Sequence, residues 1–217
     1  MTHPTRPTRH YDYIGEGQDI YVNSFAAIRL AADLASVPPD AEKVAVRMIH
    51  GSGQVDLVGD LVIHPQLVSA ARGALEAGAP ILCDATMVAT GVTRRRLPRD
   101  NEVLCFLNDG RVADLAKAWG TTRTAAAVSL WEPLLEGAVV AIGNAPTALF
   151  HLLNMLEDPT CPRPAAIIGC PVGFVGAAES KDALMAAPPV PAVIVQGRLG
   201  GSAITVAAVN ALASRKE

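Results

Sequence analysis

Short apolar runs, each closed by glycine or another turn residue and mostly separated by helix-length patterns, recur along most of the chain. This alternation constrains the fold most, because buried strands joined by helices build a parallel sheet covered on both faces. The runs span residues 44–49, 80–84, 103–107, 138–142, 165–169 and 192–196. Helical patterns are expected over 19–35, 64–77, 111–119, 122–135, 146–156, 177–185 and 202–214. The reading is a three-layer α/β/α architecture with a mainly parallel central sheet, Rossmann-like but without a dinucleotide motif. A polar tail over residues 1–10 precedes one α/β domain over 11–217.

Half of the 217 residues are hydrophobic but only 4% are aromatic, so the core is aliphatic. The net charge of −3 gives no footprint for nucleic acid. No apolar stretch long enough to span a bilayer escapes Gly, Pro or charge, and the tail lacks the apolar segment of a signal peptide. A soluble, cytoplasmic protein away from membranes is expected. Cys83, Cys105, Cys161 and Cys170 show no C-x-x-C spacing and read as small apolar residues in a reducing compartment. No metal site is expected, since no two histidines stand four apart.

His50 is the leading catalytic candidate. It ends the first run, in His50-Gly51-Ser52-Gly53, which would set one imidazole at the mouth of the sheet. Ligands of open α/β sheets sit beyond the carboxyl ends of the strands. Imidazole is also the side chain whose ordinary pKa lies nearest neutrality, which suits proton transfer. The alternative is a histidine packed under a loop and bonded to a carbonyl. His64 reads as a cap before Pro65, His151 as a core or interface residue, and His3 and His10 as tail.

The loops after the strands supply the other candidates: Thr86, Met87, Thr93, Gly143, Asn144, Gly173, Gly200 and Gly201. Glycine allows close backbone approach, and helix N-termini offer free N–H groups to anions. Ordinary turn chemistry accounts for some of these glycines. Arg94-Arg95-Arg96-Leu97-Pro98-Arg99 is a concentrated positive patch, read as solvated surface or as an attractor for an anion. Arg123, at a helix start, could fork onto a carboxylate. There is no G-x-G-x-x-G after the first run, no P-loop and no G-x-S-x-G elbow, so dinucleotide binding and serine hydrolysis lack support.

Read together, several segments resemble the precorrin-8X methylmutase family of cobalamin biosynthesis. They are Tyr13-Ile14, Ser24-Phe25, Arg47-Met48-Ile49-His50, Asp84-Ala85-Thr86-Met87 with Gly91, Gly143 to Leu149, Gly173 to Lys181, and Gly200-Gly201-Ser202. The similarity runs from about Tyr11 to Leu212. The resemblance implies a homodimer with a shared cleft that moves a methyl group from carbon 11 to carbon 12 of precorrin-8X, giving hydrogenobyrinate. The shift is of 1,5-sigmatropic type and needs no cofactor. The resemblance casts His50 as proton donor or acceptor to the macrocycle and Ser24 and Arg123 as contacts to its carboxylates. The helix expected at 122–135, carrying Trp131, reads either as the dimer interface or as cover for its own sheet. Two other functions fit the same residues: a carrier that retains the corrinoid product, and an enzyme acting on a different acidic metabolite.

Overall fold

The computed structural model describes residues 3–5, 8 and 11–215, so the expected tail over 1–10 lies largely outside the described residues. Six strands form one sheet in the order β1-β6-β5-β4-β2-β3. They are β1 (Leu61–Ile63), β2 (Ile81–Cys83), β3 (Val103–Leu104), β4 (Val139–Ile142), β5 (Ala166–Gly169) and β6 (Ala192–Val195). All pairings are parallel except β1 with β6. Nine helices are described: α1 (Gly17–Ala31), α2 (Glu42–Ser52), α3 (Leu67–Glu76), α4 (Thr86–Gly91), α5 (Val112–Trp119), α6 (Arg123–Ser129), α7 (Pro146–Leu156), α8 (Ala177–Ala186) and α9 (Ser202–Leu212).

Side chains alternate across a strand, so the central strands feed two separate cores. Ile81, Cys83, Val139, Ala141, Ile168 and Val193 face a core closed by α2, α3, α4 and α9, with α1 lying outside on α2. Leu82, Val140, Ile142, Ile167 and Ile194 face the core under α6, α7 and α8. The three expected layers are therefore present. Burial pushes the Cys170 thiol up to about 12 and raises that of Cys83 as well, so both sit as neutral, apolar side chains. Among the described residues, no helix is long and apolar enough to cross a membrane.

The expected strand at 44–49 is corrected: these residues form the middle of helix α2. Val44 to Ile49 are all buried because α2 is enclosed by α1, α9 and the chain beneath. A continuous apolar run cannot distinguish a buried strand from a helix buried all round. Gly53 ends α2 in the left-handed region at φ 69°, and its N–H donates to Ile49 O. The edge strand β1, half-buried and three residues long, was not expected. Residues 86–91, expected as a loop, form α4, in which only Val88 is buried. The helix expected over 122–135 stops at Ser129 and resumes as a 3-10 turn at Glu132–Leu134, because Pro133 has no N–H to continue it.

α6 is not an open interface either. Ala125 to Val128 are buried, and Trp131 is 1% exposed under the same layer. The helix covers its own sheet.

Three glycines let separate elements press onto α9. A Cβ at Gly51 of α2 would lie 3.1 Å from Ala207 Cβ and 3.4 Å from Ala203 O, one at Gly91 of α4 would lie 2.8 Å from Val206, and one at Gly143 would lie 2.6 Å from Thr205. A second tie crosses the sheet where chain order reverses, between β2 and β4. Asp84, 2% exposed at the end of β2, accepts N–H bonds from Gly143 (2.9 Å), Asn144 (2.9 Å) and Ala145 (2.7 Å). Burial pushes the carboxyl pKa up, while the three donors pull it back.

Asp84→Ala should leave three inward-facing N–H groups without their acceptor. With each such loss costing about 1–3 kcal/mol, destabilisation of at least about 3 kcal/mol is expected, read as a lowered urea midpoint. Asp84→Asn, with one acceptor oxygen left, should fall between the two. An unchanged midpoint in both variants would show that the clasp carries no stability.

Candidate active site

The sheet's carboxyl edge gathers most of the candidates, though His50 arrives by an unexpected route. It stands in the last turn of α2 rather than at a strand end. Close packing of Gly51 on Ala203 brings that turn beside the start of α9, next to the Gly200-Gly201 loop after β6. His50 is exposed, and its Nδ1 lies 2.8 Å from Ser24 Oγ on α1. With Ser24 donating, Nδ1 is the acceptor and the proton resides on Nε2, which has no hydrogen bond among the described residues. Phe25 meets the imidazole edge-on at 5.3 Å and Tyr21 at 5.5 Å. Arg47 lies over the Phe25 ring at 5.0 Å. Two rings and a hydroxyl thus fix the imidazole plane while one nitrogen stays open.

Along the same edge, Thr86 and Met87 open α4, both exposed. Arg123 starts α6 and donates to Leu107 O at 3.1 Å, just past β3. The neighbouring Thr122 caps α6 through Ala125 N–H and bonds Thr147 at the start of α7 at 2.8 Å. Arg123 is therefore held over the β3 end, with a charged head exposed.

Gly143 and Asn144 work differently from expectation. Their N–H groups, read as free to take a ligand's carboxylates, are already taken by Asp84. Gly143 is buried against Thr205, and only the Asn144 side chain faces out. Gly173 N–H donates to Arg198 O at 3.2 Å and Gly201 N–H to Cys170 O at 2.9 Å, which ties the loops after β5 and β6 together. At Gly200 no side chain fits: its Cβ would lie 2.6 Å from Pro171 O. Thr93 stands apart. Its N–H donates to Asn210 Oδ1 at 2.8 Å, about two turns along α9 from Ser202.

Other side chains complete the edge. Lys181 is fully buried, and its Nζ donates to Leu199 O at 2.6 Å, which pins the loop leading into Gly200. Burial lowers its pKa. Phe174 and Val175 are 85% and 88% exposed, with the Arg198 guanidinium 5.2 Å over the Phe174 ring. With Met87, 72% exposed, they give the edge a broad apolar surface flanked by polar groups. His151 lies off the edge, bonded through Nε2 to Ser129 Oγ at 2.7 Å and stacked on Trp119. Burial lowers its pKa.

This arrangement suits a wide, flat, partly apolar ligand with anionic arms and a single proton-transfer group. Comparison with known proteins points the same way. The family model described as precorrin-8X methylmutase matches residues 19–215. A precorrin-8X methylmutase from Sinorhizobium sp. is 60% identical over 204 residues, covering 94% of this chain and 97% of that protein. A cobalt-precorrin-8 methylmutase from Priestia megaterium is 38% identical over 172 residues, covering 78% and 75%. The solved precorrin-8x methyl mutase from Thermus thermophilus superposes with a TM-score of 0.82 at 40% identity, covering 90% of this chain and 94% of that one. Sequence, fold and edge geometry agree: the chain belongs to the precorrin-8X methylmutase family.

Proposed function

We propose that the chain is an isomerase of cobalamin biosynthesis that moves a methyl group from carbon 11 to carbon 12 of precorrin-8X, yielding hydrogenobyrinate. The observation that carries this reading is the His50 imidazole, held at Nδ1 by Ser24 and open at Nε2, in a chain of this family. One carbon–carbon bond breaks, another forms, and the ring double bonds shift, with no net gain or loss of protons or electrons. A proton lent by His50 Nε2 to the macrocycle polarises the ring and returns afterwards. Such assistance contributes about 100- to 10,000-fold. Met87, Phe174 and Val175 offer the apolar face, while Arg123, Thr86, Asn144 and the Gly173, Gly200 and Gly201 backbones meet the ligand's periphery. The relatives are named for a reaction, which favours turnover over a carrier. The greater likeness to a precorrin-8X enzyme (60%) than to a cobalt-precorrin-8 enzyme (38%) favours a metal-free substrate.

The working unit in this reading is a homodimer of single α/β domains in the cytoplasm, where free thiols stay reduced. Its surface is α1 rather than α6. Ile20, Tyr21, Val22 and Leu30 stand 47%, 43%, 56% and 90% exposed on α1, the helix that carries Ser24, and Tyr21 lies against His50. Four large apolar side chains exposed on one helix are unusual for a surface facing only water. A second copy would cover them and add a wall to the open edge.

His50→Ala should lower turnover of precorrin-8X at least about 100-fold while product binding is retained. Full activity in that variant would remove His50 from the chemistry, and binding of product without any turnover by the wild type would favour the carrier. Arg123→Ala should weaken binding roughly tenfold or more, with Arg123→Lys recovering only part, because an ammonium cannot fork. Equal affinity in all three proteins would mark Arg123 as a surface charge. Sedimentation should find a dimer for the wild type and a monomer for Leu30→Glu. A fully active wild-type monomer would refute the shared site.

A further inference from the structure

The arginine run at 94–96 has no part in the site above. It forms a 3-10 turn after α4, beside the ends of α3 and α9. There a cavity of about 550 Å³ is lined by Arg72, Glu76, Arg95, Arg96, Pro98 and Arg215. It stands at the opposite end of α9 from the candidate active site: α9 starts at Ser202 beside Gly201 and ends at Leu212, whose carbonyl accepts from Arg72 Nε at 3.4 Å.

Part of this charge has a local purpose. Carbonyls at a helix C-terminus draw cations, which accounts for Arg72 on Leu212 O and for Arg99 on Glu76 O at 3.1 Å. Arg215 pairs with Glu76 at 2.9 Å. Arg95 and Arg96 are different: neither guanidinium makes a hydrogen bond or ion pair among the described residues. Four guanidiniums thus share one concavity with a single lining carboxylate, in a chain whose net charge is −3. Like charges held in one hollow repel, and an anion between them reverses the sign of that interaction. The cavity falls in the size range of about 300–1,000 Å³ typical of small-ligand sites. Planar forks suit phosphate and carboxylate groups in particular.

We propose that this cavity is a second ligand site, for a small polyanion whose phosphate or carboxylate groups are held between Arg95 and Arg96. Titration calorimetry of the full chain at low ionic strength, with pyrophosphate and separately with citrate, tests it. One-to-one saturable binding is expected, weakened at least about tenfold in Arg95→Ala/Arg96→Ala, since a charge-assisted bond contributes about that much. Arg95→Lys/Arg96→Lys, which keeps the charge without the forks, should fall between, and it carries the comparison if the alanine pair melts early. Arg111→Ala, at a remote exposed pair, and His50→Ala should both bind like the wild type. Binding of only one of the two anions supports the site and identifies its chemistry. No heat with either anion, unchanged affinity in the double alanine variant, or loss of binding in His50→Ala would overturn it.

Discussion

Three separate parts of the candidate site are referenced to one helix. α9 receives α2 through Gly51, α4 through Gly91 and the β4 loop through Gly143, each at a distance that leaves no room for a methyl group without movement. Backbones that close transmit position rigidly, because a packed interface has few alternative arrangements. The His50 turn, the Thr86-Met87 turn and the Gly143 loop therefore hold their spacing through a shared partner rather than through contacts with each other. Lys181 extends the same frame by fixing the chain that enters α9.

On that frame the chemistry is sparse. One imidazole is oriented by a serine and two rings, and in the proposed reading the remaining groups bind and shape. This economy matches a rearrangement that keeps its atoms and electrons within one molecule. The demand on the protein is to hold a large planar ligand in one pose and supply a proton at one place.

The legible parts of the sequence were those with punctuation. Pro146 at a helix start and the Gly-rich ends of β4, β5 and β6 mark α7 and three buried strands within a residue or so of their actual bounds. Residues 44–49 read as a strand because all six are buried, so a run that short shows no helical spacing of its apolar positions. His50 lies by the sheet's carboxyl edge, but a helix delivers it rather than a strand end, through a glycine contact with residues far along the chain. Asp84 was missed as a structural element because its partners are backbone N–H groups 59 to 61 residues later, and backbone donors leave no trace in residue identity. A carboxylate directly after a buried strand, with a Gly-Asn loop after a later one, is the signal that could have suggested it. Tyr21 and Phe25 flank the imidazole through the fold of α1 on α2, which no local pattern encodes.

The Asp84 clasp also bears on what this protein ignores. In sheets that reverse their strand order, the crevice at the reversal is the usual berth for nucleotide phosphates, received by loop N–H groups. Here that berth is occupied from within, by a carboxylate that is part of the chain. The three N–H groups at the head of the β4 loop are therefore not available to a nucleotide phosphate. A ligand that meets this edge meets it over the loops, since the gap between the β2 and β4 ends is already filled by the chain's own carboxylate.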